Sequence, residues 1–166
     1  LVNDLSSVLD SGTEMRLYAP DEGNEALRRQ VRETAFMKFV YPDSCNFRLT
    51  RDLWRIKGIV DDLKRDKVDL FHGLTGELPM GIKKAGIKSV VTIHDLIFMH
   101  HQEYYNWLGT TISAWKFHQT CKEADRIIAI SECTKRDIIR FGGVDPSRID
   151  VIYQSCSTEF KARESE

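Results

Sequence analysis

The sequence predicts an α/β fold in which a parallel sheet carries helices on both faces. Three observations lead there. Short apolar segments alternate with helix-periodic stretches along the chain. The strand-like segments, such as Ser89 to Ile93 (S-V-V-T-I) and Arg126 to Ile130 (R-I-I-A-I), are nearly continuous apolar runs, as strands buried on both faces require. Polar residues follow these runs directly, at the strand ends where open α/β sheets bind ligands.

Leu1, Leu5, Val8 and Leu9 recur at helical spacing, so the chain opens in a helix that Ser11-Gly12 stops. Met15 to Ala19 reads as a strand closed by Pro20. Asn24 caps a short helix expected to bury Leu27 and Val31, and Phe36 to Tyr41 forms a second strand ended by Pro42. From Leu49, residues Leu53, Ile56, Val60 and Leu63 keep the rhythm of one helical face, while Arg51, Asp52, Lys57, Asp61 and Asp62 sit off it. Val68 to Leu74 is the next strand, followed by a breaker-rich loop, Thr75 to Pro79, and by Ser89 to Ile93, expected at the sheet's centre. A long helix is expected over about Glu103 to Ala124, with Leu108, Ile112 and Trp115 on its apolar stripe. Arg126 to Ile130, a helix from Glu132 to Phe141 stopped by Gly142-Gly143, and a strand from Ile149 to Tyr153 complete the pattern before the polar tail, residues 161–166.

At about 150 residues per domain, the length of 166 residues corresponds to one domain, read as 1–160 plus the tail. Lys and Arg total 24 against 25 Asp and Glu, a net charge of −1 that supplies no basic field for nucleic acid. With 42% hydrophobic and 30% charged residues the composition is that of a folded globular protein, and its apolar runs are far shorter than a membrane span. Cys45, Cys121, Cys133 and Cys156 form no C-x-x-C pair, which excludes a zinc knuckle or thioredoxin-like motif and reads as reduced thiols of a cytoplasmic protein. No signal segment opens the chain, and a helix at the first residue without Met is expected of a piece of something longer.

Three strand ends offer chemistry: His72-Gly73, His94-Asp95 and Ser131-Glu132. A neutral imidazole at His94 can accept from or donate to a sugar hydroxyl or phosphate oxygen, or simply satisfy a nearby backbone group; its strand-end position favours the former. Asp95 either fixes that imidazole or bonds backbone amides in the turn, the commoner use. Ser131 caps the helix opened by Glu132, either as a cap and nothing more, the favoured reading, or with free amides that attract anions into the crevice. Gly73 permits close backbone approach, and Glu77 is an acceptor contact or a solvated side chain. The H-D pair also occurs in metal phosphohydrolases, but His100, His101 and His118 show no ligand spacing, so no metal site is expected. Trp54 and Trp115 fall on helical patterns and read as packing residues, not sugar platforms. G-x-G-x-x-G, Walker and G-x-S-x-G motifs are all lacking.

The ordered segments V-D-L-F-H-G-L-T-G-E-L-P, V-V-T-I-H-D-L-I-F, A-D-R-I-I-A-I-S-E-C-T-K-R-D-I and V-D-P-S-R-I-D-V-I-Y-Q resemble the N-terminal domain of retaining GT-B glycosyltransferases, in particular the family-four class with its bacterial mannosyl- and glucosyltransferases. The likeness is close from about Val68 to Tyr153 and otherwise one of pattern. It implies one Rossmann-like half of a GT-B architecture, facing the acceptor, with a donor-binding half outside this chain. His94 matches the cleft histidine that approaches the donor sugar, Asp95, Ser131 and Glu132 line the cleft, and His72, Gly73 and Glu77 belong to the acceptor-side loop.

The implied activity is transfer of a mannose- or glucose-type hexose from a nucleotide sugar to a glycan or glycolipid acceptor in cell-surface polysaccharide synthesis. No metal or cofactor beyond the nucleotide-sugar co-substrate is implied. The family's first strand and glycine-rich loop would precede Leu1; without them a gap or exposed sheet edge is expected to give marginal stability or to recruit a strand from a second chain, and without the donor half turnover is expected to be almost nil. The net charge leaves membrane association undecided, since a local patch such as Lys83, Lys84 and Lys88 can make a peripheral contact with a lipid-linked acceptor without showing in the total. The alternative is a non-enzymatic sugar-binding or interaction module of the same fold. An isomerase or epimerase is disfavoured for want of a cofactor loop and a second acid/base beside His94.

Overall fold

The computed structural model describes residues 2–9, 12–42, 48–101 and 106–155. Two compact units divide the chain, Leu1–Asp62 and Leu63–Glu166.

The first unit contains α1 (Val2–Val8), β1 (Met15–Tyr18), α2 (Glu25–Arg28), β2 (Met37–Val40) and α3 (Arg48–Leu53). β1 and β2 run parallel, Met15 opposite Met37 through Tyr18 opposite Val40, and α2 lies in the crossover that parallel neighbours need. They form a two-stranded sheet of their own, separate from the later strands, where the sequence reading expected one sheet. Asn24 caps α2 as expected, its carboxamide oxygen accepting from the Ala26 and Leu27 amides. Leu27 is nevertheless 63% exposed, because a helix of one turn is too short to present a buried stripe.

The helix expected from Leu49 forms, with a shifted face. A π turn, Trp54–Gly58, interrupts it before α4 (Ile59–Arg65). The wide turn carries the Ile59 N–H to the Trp54 carbonyl and puts these two residues, five apart, on one face. Trp54, Ile59, Val60 and Leu63 are therefore buried while Leu49 and Leu53 are exposed, against the uninterrupted rhythm read from sequence. The buried indole finds its acceptor in Asp62, with Nε1 2.7 Å from Oδ2.

The second unit holds β3 (Leu70–Gly73), β4 (Lys88–Ile93), α5 (Ile97–His100), α6 (Trp107–Glu123), β5 (Arg126–Ala129), α7 (Glu132–Gly142) and β6 (Ile149–Val151). Its four strands are all parallel in the order β3-β4-β5-β6, so β4 and β5 are interior, as their β-branched runs require. The register sets Gly73 opposite Val91, Ile93 opposite Ala129, and Ala129 opposite Val151. Val91, Ile127, Ala129 and Ile138 are fully buried and form the core with Phe117 and Cys121 of α6. Asn106 caps α6 and Ser131 caps α7; Gly143, at φ +61°, takes the left-handed conformation that stops α7.

α6 turns a different side inward from its apolar stripe. Thr110, Phe117, Thr120 and Cys121 are buried, whereas Leu108, Ile112 and Trp115 are 56%, 48% and 44% exposed. Polar ties hold this orientation. The Leu78 amide donates to Thr120 Oγ1 at 3.2 Å, and the amides of Gly81 and Lys83 both donate to the Glu123 carboxylate at 3.0 Å. Rolling the helix to bury Leu108 would break all three. The expected helix start at Glu103–Tyr105, the thiols of Cys45 and Cys156, and the tail 161–166 lie outside the described residues.

Candidate functional site

Parallel strands deliver their carboxyl ends to one edge, and the segments leaving that edge carry the polar groups. β3 ends in His72-Gly73, β4 runs into His94, β5 leads to Ser131, and β6 leads to Gln154. His94 is the meeting point. Its Nε2 lies 3.0 Å from the Leu74 carbonyl oxygen, just past β3, and its Nδ1 lies 3.2 Å from the Gln154 Nε2, just past β6. Its own backbone carbonyl accepts from Thr134 Oγ1 of α7 at 3.1 Å. Ser131, capping α7 through the Thr134 amide at 3.1 Å, also sits 3.0 Å from that same Thr134 hydroxyl. The exposed imidazole is thus tied to the segments that follow β3 and β6, and the His94 backbone to the helix that follows β5.

The remaining sequence-derived residues divide. His72 Nε2 lies 2.9 Å from the hydroxyl of Thr92, two residues before His94. Burial pushes the His72 imidazole below the ordinary histidine range, because a half-buried cation loses solvation. At Gly73 a Cβ would overlap the Glu77 carbonyl oxygen, so this buried glycine is what lets the following loop fold back over the strand. Glu77 itself is tied to α6: its Oε1 is 3.0 Å from Lys116 Nζ. Asp95 adopts its turn role, with Oδ1 accepting from the Ile97 amide at 3.2 Å. Glu132 is exposed on the first turn of α7.

Residues 4–160 match the family model described as Glycosyltransferase Family 4, a match that runs through both compact units. The chain belongs to glycosyltransferase family 4. No individual curated protein matches it. The parallel, helix-flanked sheet of this family-4 domain is that of one Rossmann-like half of the GT-B architecture.

Within the glycosyltransferase domain, sequence reasoning missed Gln154, Thr92, Thr134 and Lys116 as partners of the candidate residues. Gln154 was within reach of the same rule that found the others. It stands directly after the last expected strand, Ile149 to Tyr153, at the same edge as His72, His94 and Ser131. Thr92 and Thr134 carried no signal, since a threonine inside a strand or helix reads as structure. Among the described residues no three His, Cys, Asp or Glu side chains gather as a metal site, and no helix is long and apolar enough to cross a membrane.

Proposed function

We propose that this domain is the acceptor-facing half of a retaining glycosyltransferase that moves a mannose- or glucose-type hexose from a nucleotide sugar to a glycan or lipid-linked acceptor. A donor-binding half elsewhere in the protein supplies the nucleotide site. The observation that carries the reading is the convergence on His94 at the carboxyl edge of β4, where its ring is held through both nitrogens yet stays exposed. A ring so oriented can bond a hydroxyl of the transferred sugar through Nδ1 once that hydroxyl takes the place of Gln154, with the Leu74 contact keeping the ring ordered. Ser131 and the amide-rich start of α7 present donors along the same edge, and His72 with the Gly73 to Glu77 loop forms its acceptor side.

The reaction needs the sugar aligned and water kept out, because water in the site competes with the acceptor for the sugar as its bond to the nucleotide breaks. On this reading closure of two halves provides the exclusion, and His94 provides alignment and polarisation. Lys83, Lys84 and Lys88 are exposed; Lys88 opens β4, so a contact with an anionic membrane through this patch uses the opposite strand end from His94. The test is His94→Ala in the full-length enzyme, assayed for transfer from radiolabelled nucleotide sugars. A loss of tenfold or more is expected, and near-wild-type transfer would remove His94 from the site.

A further inference from the structure

Resting on that reading of His94, we propose that Leu74 and Gln154 together hold the ring as the neutral Nε2–H tautomer, making Gln154 a positioning residue and Nδ1 the atom His94 presents to a sugar hydroxyl. The argument is one of donors and acceptors. The Leu74 carbonyl can only accept, so the proton of the contact at 3.0 Å must sit on Nε2. A neutral imidazole then has a bare lone pair on Nδ1, and the Gln154 carboxamide donates to it at 3.2 Å. The two contacts come from segments sixty and twenty residues away along the chain, so the ring orientation depends on the assembled sheet.

The consequence for the ligand follows from the same inventory. With Nε2–H committed to a backbone carbonyl, the ring meets substrate as an acceptor, and its natural partner is a hydroxyl proton. Gln154 fills the place of that hydroxyl in the free protein. Its side chain is exposed and can turn to water, whereas the Leu74 carbonyl is part of the main chain and stays. A ligand offering only acceptor oxygens, such as sulfate, gains nothing from Nδ1.

Nitrogen-15 NMR of the His94 ring in the whole chain reads the tautomer directly. The expected spectrum at neutral pH has a proton on Nε2 and a bare Nδ1. Gln154→Met keeps the shape and removes the donor, so the Nδ1 resonance moves toward that of a free lone pair while Nε2–H is retained. Gln154→Glu offers acceptors only, so Nδ1 gains a proton. A wild-type ring protonated on Nδ1 alone, or a ring signal identical in all three proteins, overturns the assignment. A folded Gln154→Met is verified by unchanged amide resonances in β4 and β5. Failure of the underlying site reading looks different: the tautomer and the Gln154 responses stay as stated, and His94→Ala leaves transfer intact in the full-length enzyme.

Discussion

The two ends of the four-stranded sheet both carry polar networks, but built in opposite ways. At the amino end, Ser89 is fully buried. Its amide donates to Asp125 at 2.9 Å, and its hydroxyl donates to the Glu123 carbonyl at 2.8 Å and accepts from the Asp125 amide at 3.0 Å. Arg148 closes the same end by donating to the carbonyls of Cys121, at 3.0 Å, and Ala124, which the last turn of α6 leaves without helical partners. At the carboxyl end His94, Asp95, Glu132 and Gln154 are all exposed, and the His94 ring is oriented by bonds to the segments after β3 and β6. Burial decides what such networks are for. A buried group stripped of its partner loses about 1–3 kcal/mol, whereas an exposed one turns back to water. The amino end is suited to holding the fold, and the carboxyl end to exchanging its partners for a ligand.

The largest change in stability is therefore expected at the amino end. Ser89→Ala or Arg148→Ala should lower the unfolding free energy by about 1–3 kcal/mol in urea titrations, through backbone carbonyls that lose their side-chain donors. Equal loss from His94→Ala would erase the distinction between the two ends. That variant is expected to stay within about 0.5 kcal/mol of wild type while transfer by the full-length enzyme falls at least tenfold, equivalent to about 1.4 kcal/mol of barrier.

Smaller effects come through pH. Because burial holds the His72 imidazole below its ordinary range, the unfolded chain binds more protons than the folded one as pH drops. This contribution is complete above about pH 6.5, the unperturbed histidine value, and is lost as pH falls from there through the lower folded value. Urea midpoints for wild type should fall across that window, and His72→Gln should flatten the slope. At the alkaline side, burial pushes the Cys121 thiol up to about 11, with Arg148 opposing. The unfolded thiol ionises first, from about pH 8.5, so stability declines as pH rises from there towards the folded value. Of the two described cysteines, iodoacetamide at pH 8 should label exposed Cys133 and reach buried Cys121 only in denaturant, as read by mass spectrometry.

Periodicity and residue type made much of this legible. Continuous β-branched runs marked β4 and β5 as interior strands, because a strand covered on both faces has no polar positions to spare. Asn24, Ser131 and Gly143 marked helix ends through bonds and backbone angles that belong to a single turn. The misreadings came where distant parts compete. Trp54 and Ile59 share a face only because a π turn adds a residue, and α6 buries Thr120 instead of Leu108 because backbone amides from the loop after β3 bond to its polar side.

By itself, then, the sequence determined the fold class, the parallel sense of the strands and the candidacy of His72, His94 and Ser131, since each follows from local spacing and from the rule that strands of a parallel sheet end together. Only the tertiary structure decided that β1 and β2 pair apart, which way α6 faces, that Glu77 is held by Lys116, and that Leu74 and Gln154 divide the two nitrogens of His94. Those outcomes depend on donors and acceptors far apart in the chain, and a hydrogen bond has no address in sequence until folding brings its two halves within three ångströms.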